Sequence, residues 1–172
     1  MIRINLVSGP RNISTALMYS FAQRSDTTVV DEPFYAVYLA KTGADHPGKE
    51  QVLASLPTRE EEVRRLLKTP SGKEVLFVKN MAHHMEVLED PYIDGSMNVF
   101  LIRDPLQIIA SYSAVIEKPV MRDIGIEYQY TLFKDLQTMG EKTVVVDSGL
   151  LLDDPETVVR QVTGQWGINF EQ

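Results

Sequence analysis

Short apolar runs, each closed by turn-forming or charged residues and each followed by a segment of helical character, recur along this chain. Glu74 to Lys79 and Met97 to Arg103 are compact apolar runs that read as strands buried on both faces of a parallel sheet, Thr143 to Val146 reads as another buried strand, and Ile2 to Val7, interrupted by Arg3 and Asn5, and Thr27 to Val30 read as short strands. Between them lie predicted helices. Ser14 to Arg24 carries Leu17, Met18 and Phe21 at helical spacing, and Pro33 to Lys41 opens with a proline tolerated in a first turn. Lys49 to Leu56 follows, then Thr58 to Lys68, where Thr58 and Glu61 have the spacing of a capping box. Pro105 to Glu117 is entered through Asp104, Arg122 to Thr138 ends at Gly140, and a last helix runs from Asp154-Pro155 to about Trp166. This alternation predicts a three-layer α/β/α fold with a central parallel sheet and right-handed crossovers.

Ligands of such sheets sit at the carboxyl ends of the strands. The strand ends deliver Ser8–Thr15, Asp31–Tyr35, Lys79–His84 and Arg103–Asp104 to one rim. A chain of 172 residues fits one domain, 1–172, that buries roughly 70% of the surface its unfolded form exposes. Absence of cysteine excludes thiol redox chemistry and fits a reducing, cytoplasmic compartment. No apolar stretch approaches the roughly 20 residues of a membrane span. A net charge of −7 argues against nucleic acid as a partner, because broad phosphate contact needs a basic face. A single small anion needs only a few local cations and amides.

The loop Ser8-Gly9-Pro10-Arg11-Asn12-Ile13-Ser14-Thr15 stands between strand and helix, where amides, the helix dipole, Arg11 and two hydroxyls favour a phosphate. It is not a Walker A loop, which would require glycine at Ser14 and lysine at Thr15. Farther on, Val99 to Ile102 lead into Arg103-Asp104-Pro105, with Ser111 two turns into the next helix. Alone, these residues read more readily as an Arg103–Asp104 surface ion pair and a helix serine than as a site.

Together the two segments resemble the sulfotransferase superfamily, whose fold is P-loop-like. The resemblance implies that Arg103 and Ser111 hold the 3′-phosphate of 3′-phosphoadenosine 5′-phosphosulfate (PAPS), and that Pro10, Arg11, Asn12, Ser14 and Thr15 cradle its 5′-phosphosulfate. Arg11, Ser14 and Thr15 match the family loop, whereas Asn12 and Ile13 depart from it. The family's carboxyl-terminal glycine-rich segment has no counterpart here, so the resemblance implies a domain lacking that segment.

Asp31-Glu32-Pro33 resembles the segment that supplies a glutamate base in several members, which makes Glu32 the preferred base. Val78-Lys79-Asn80-Met81-Ala82-His83-His84 resembles the stretch where other branches place a lysine and a catalytic histidine. Lys79 and Arg11 then stabilise developing charge, and His83 is the alternative base. Without that context, Glu32 reads as a helix-start carboxylate and the histidines as solvated or capping residues. Tyr35 and Tyr38 are candidates for lining an acceptor pocket, and equally for core or surface roles. Three histidines with no HExxH helix predict no metal site.

The expected activity is sulfuryl transfer from PAPS to a hydroxyl or amine of a small-molecule acceptor, with no metal required. The alternatives are a P-loop-type phosphotransferase or nucleotide hydrolase, and a non-catalytic nucleotide-binding module.

Overall fold

A computed structural model describes residues 1–114 and 120–170. Five strands form one wholly parallel sheet in the order β2-β3-β1-β4-β5: β1 Ile2–Ser8, β2 Thr27–Asp31, β3 Val75–Met81, β4 Ser96–Ile102 and β5 Thr143–Asp147. The helices are α1 Ser14–Ala22, α2 Tyr35–Thr42, α3 Lys49–Ser55, α4 Glu60–Lys68, α5 Ala82–Met85, α6 Pro105–Tyr112, α7 Met121–Ile124, α8 Ile126–Thr138, α9 Ser148–Asp153 and α10 Pro155–Gln165.

Side chains alternate across the strands and divide the core between two faces. Ile4, Leu6, Phe77, Val99 and Leu101 pack under Leu17, Met18 and Phe21 of α1 and Trp166 just beyond α10. On the opposite face Val7 and Phe100 meet Met85, Leu132 and Leu136, while Leu76 and Val78 meet Phe34, Val37, Val63 and Leu67. The expected three layers are therefore formed, and the stripes Leu17/Met18/Phe21 and Tyr128/Leu132/Leu136 belong to the core. A polar ladder runs through the sheet: Asn80 Nδ2 donates to Asn5 Oδ1 and Asn5 Nδ2 to Asn98 Oδ1, each at 2.9 Å. These buried amides tie β3, β1 and β4 together, because any register slip would leave them unpaired. Among the described residues, no helix is long and apolar enough to cross a membrane.

Several helix boundaries differ from the sequence reading. The segment read as one helix from Arg122 is broken at Gly125, whose φ is 72°, into α7 and α8. A side chain at Gly125 would put its Cβ 3.0 Å from that of Ala82, and one at Gly9 would stand 2.4 Å from the Ile124 carbonyl. The first loop, the end of β3 and the α7–α8 junction meet at these two glycines. The capping box at Thr58 is not made, since α4 starts at Glu60 with Arg59 as an N-cap lacking a side-chain bond. Glu60 instead accepts from the backbone amides of Glu89 and Asp90 and pairs with Arg64, so tertiary bonds set that helix start. Pro33 precedes α2, because Glu32, Pro33 and Phe34 form a turn closed by the Tyr35 amide on the Glu32 carbonyl at 3.0 Å. Asp104 does cap α6 through the Leu106 amide, whereas the part of the predicted Pro105–Glu117 helix beyond residue 114 lies outside the described residues.

Candidate active site

Register brings the strand ends level. Ser8 at the end of β1 faces Met81 on β3 and Leu101 on β4, and Asp31 at the end of β2 faces Lys79. The four candidate segments therefore open onto one rim, as the fold reading required.

The first loop is built differently from a glycine-rich one. Its left-handed residue is Arg11 itself, with φ 56°. Asn12 Nδ2 donates to the Leu101 carbonyl at 2.9 Å and Asn12 Oδ1 accepts from the Ile13 amide at 3.0 Å, while the Ile13 side chain packs on the core. The two departures from the family pattern thus anchor the loop to β4 and to α1. Pro10 and Ser14 are buried and Thr15 is exposed. The start of α1 has no side-chain cap and no acidic residue in its first turn, so the dipole is unopposed there.

Arg11, Arg103 and Ser111 are brought together. Arg11 Nε donates to Ser111 Oγ at 2.9 Å, and Arg103 donates to the Arg11 carbonyl at 2.5 Å and through Nε to Gln107 Oε1 at 3.2 Å. Asp104 is occupied as a helix cap, so the plain Arg103–Asp104 surface pair is not formed in place of this cluster. Two guanidinium groups and a hydroxyl, beside an uncapped helix start, suit a doubly charged phosphate group.

At the ends of β2 and β3, next to β1 in the sheet, stands a second constellation. Lys79, only 3% exposed, donates to Glu32 Oε1 at 2.5 Å and to Asp31 Oδ1 at 2.9 Å. Burial alone would pull the lysine pKa down, but the hydrogen bonds it donates to Glu32 and Asp31, with the charges of both carboxylates, outweigh it and raise the pKa above the ordinary value. Glu32 is the second non-glycine residue with positive φ, 45°. Such conformations cost about 1–3 kcal/mol and persist where the surroundings impose them. Here the strained backbone turns the carboxylate in toward Lys79 and His84.

All three histidines of the chain gather around Tyr35 and Tyr38, although only His83 was singled out from the sequence. His84, not His83, approaches the carboxylate: its Nδ1 lies 3.7 Å from Glu32 Oε2. The His84 ring stacks on Tyr35 with centroids 4.5 Å apart, Tyr38 meets the edge of His83 at 5.3 Å, and the Tyr35 hydroxyl bonds His46 Nδ1 at 2.9 Å. Tyr35 and Tyr38 thus pack against the histidine rings beside the site. His46 was hidden in a segment that reads as a plain loop, and His84 differs from His83 only in the phase of the one-turn helix α5.

Burial lowers the pKa of His83 to about 4, with the neighbouring His46 adding to the effect, and that of His84 to about 2, with His83, His46 and Lys79 adding. Both rings are neutral in the folded chain near pH 7. The unfolded chain takes up these protons near pH 6.5, so stability is full above that value and is lost as pH falls toward 4 for His83 and toward 2 for His84. The urea midpoint is expected to be lower at about pH 5 than at about pH 7.5, and His83→Gln combined with His84→Gln should flatten that dependence. An equal pH dependence in the double variant would contradict the assignment.

A family model described as a sulfotransferase domain matches residues 2–172. Two Arabidopsis thaliana proteins are similar in sequence: branched-chain-amino-acid aminotransferase-like protein 1, 36% identical over 95% of this chain, and protein 2, 33% identical over 98%. The chain spans 30% of the length of each. Among solved structures, the sulfotransferase domain from the curacin biosynthetic pathway superposes with a TM-score of 0.66 at 15% identity, covering 98% of this chain and 74% of that one. A mouse sulfotransferase complexed with PAP gives 0.52 at 12% identity, over 99% and 60%. Shikimate kinase from Acinetobacter baumannii gives 0.52 at 14%, over 96% and 94%, which reflects the P-loop-like fold. By the match of the family model along its length, the chain belongs to the sulfotransferase domain family.

Proposed function

We propose that this domain transfers a sulfuryl group from PAPS to a hydroxyl or amine of a small-molecule acceptor. The observation that carries the reading is the pairing of two clusters along one rim: Arg11, Arg103 and Ser111 around the first loop, and Glu32 with Lys79 at the ends of β2 and β3. Arg103 and Ser111 would hold the 3′-phosphate. The loop from Pro10 to Thr15, with the first amides of α1, would hold the 5′-phosphate end. The donor supplies an activated sulfuryl group whose leaving phosphate gains negative charge, and preorganised cations stabilise that charge.

Glu32 is the base in this reading. It is partly open to solvent, with its side chain 25% exposed, and backed by Lys79. An acceptor lying over Tyr35 and Tyr38 would present its hydroxyl to Glu32, and Lys79 Nζ would then be within reach of the bridging oxygen. Thr15 stands where a Walker loop has its lysine, which disfavours the phosphotransferase alternative.

The test is release of adenosine 3′,5′-bisphosphate from PAPS, followed with and without a panel of phenols, alcohols and amines. Acceptor-dependent release is expected. Acceptor-dependent release of ADP from ATP with magnesium, with no reaction of PAPS, would overturn the reading in favour of phosphoryl transfer.

A further inference from the structure

A buried ammonium needs one counter-ion, yet Lys79 has two. Its side chain is 4% exposed, and the carboxylates of Asp31 and Glu32 both lie within 3 Å of Nζ, at 2.9 and 2.5 Å. The two carboxylates are not equivalent. Asp31 closes β2, faces Lys79 directly in register and has its side chain 48% exposed. Glu32 is turned inward by its positive φ, toward Lys79 and His84. The surplus negative charge has a purpose if one of the pair becomes neutral during the reaction.

We propose that Asp31 is a positioning residue that keeps the Lys79 ammonium seated and charged at the end of β3 while Glu32 takes up the acceptor's proton. The inference rests on Glu32 serving as the base. In the transfer step the acceptor oxygen forms its bond to sulfur as the bond from sulfur to the bridging oxygen breaks. The electron pair of the broken bond stays on the nucleotide's 5′-phosphate, and the acceptor's proton moves to Glu32. The charge around Lys79 thereby changes from one cation with two carboxylates to one cation with one. The other titratable groups facing this pair, His84 on α5 and Tyr35 on α2, are neutral near pH 7 and cannot replace the lost charge: burial lowers the pKa of the first, and burial with the Glu32 charge raises that of the second. Without Asp31, proton uptake would leave Lys79 buried with no counter-ion, a state in which lysines release their proton.

E32Q fixes the carboxyl group in an uncharged form, as it stands after proton uptake. Lysine labelled with carbon-13 at Cε reports the titration of Lys79 by NMR in the whole chain. In E32Q, Lys79 is expected to stay charged to at least about pH 9, whereas in D31N/E32Q it should titrate about 2 or more pH units lower. Equal titration in both variants overturns the proposal. Kinetically, D31N should lower kcat about 30-fold with the donor KM within about twofold, and should move the alkaline limb of kcat to lower pH, while D31E should recover most of the rate. A loss in D31N with an unmoved alkaline limb would indicate a merely structural role and overturn the proposal. Wild-type turnover by E32Q would remove Glu32 as base and the proposal with it. Loss in E32Q with an unaffected D31N removes the role of Asp31 alone.

Discussion

Glu32→Gln is expected to lower kcat about a thousandfold while leaving donor affinity within about threefold, which is the span general-base catalysis typically supplies. The substitution keeps the shape of the side chain and its hydrogen-bonding reach, so the turn from Glu32 to Tyr35 and the packing of α2 are retained. Lys79 also keeps its bond to Asp31 at 2.9 Å, so no buried charge is stranded. The donor cluster of Arg11, Arg103 and Ser111 makes no contact with Glu32 among the hydrogen bonds of the site. Steady-state kinetics beside calorimetric donor binding separates the two effects. Unchanged turnover would exclude Glu32 as the base and shift attention to His83 and His84. Each of these has a buried Nδ1 without a hydrogen-bond partner.

Arg103→Ala should weaken binding of adenosine 3′,5′-bisphosphate about 100-fold but that of ADP less than about fivefold. Charge-assisted hydrogen bonds contribute about 1.5–3 kcal/mol each, and a guanidinium fork on a phosphate makes up to two of them. Arg103 also holds the Arg11 carbonyl at 2.5 Å, so its removal loosens the loop for every nucleotide. That shared part accounts for the smaller loss with ADP. The selective part is what identifies a 3′-phosphate site. Titration of the variant with both nucleotides measures it, and equal losses would mean that Arg103 acts only by supporting the loop.

The fold was legible because its signals are local. Five compact apolar runs separated by helical segments specify a parallel sheet whatever the details between them, and the rim follows from chain direction. What escaped was set by contacts between distant segments. The helix read from Arg122 is broken at Gly125, whose left-handed φ of 72° ends α7 where Ala82 and Gly9 pack close against the glycine. Thr58 and Glu61 have the right spacing for a capping box, yet Glu60 finds better partners in the backbone of Glu89 and Asp90.

The site divides in the same way. Arg103 and Ser111 were paired, and Arg11 placed in the first loop, through the family resemblance, and the structure joins all three by hydrogen bonds. His46 reaches Tyr35 only through the turn between α2 and α3, and nothing in its neighbours announces it. Asp31 was adjacent to the residue singled out, but its part depends on strand register opposite Lys79, which spacing does not reveal.

The donor site is tested most directly by titrating the whole chain calorimetrically with adenosine 3′,5′-bisphosphate, ADP, and ATP with magnesium. Binding of the 3′-phosphorylated nucleotide at least about tenfold tighter than either comparison is expected, since Arg103 and Ser111 would contact the group the others lack. Tighter binding of ATP, or no preference among the three, would contradict the account.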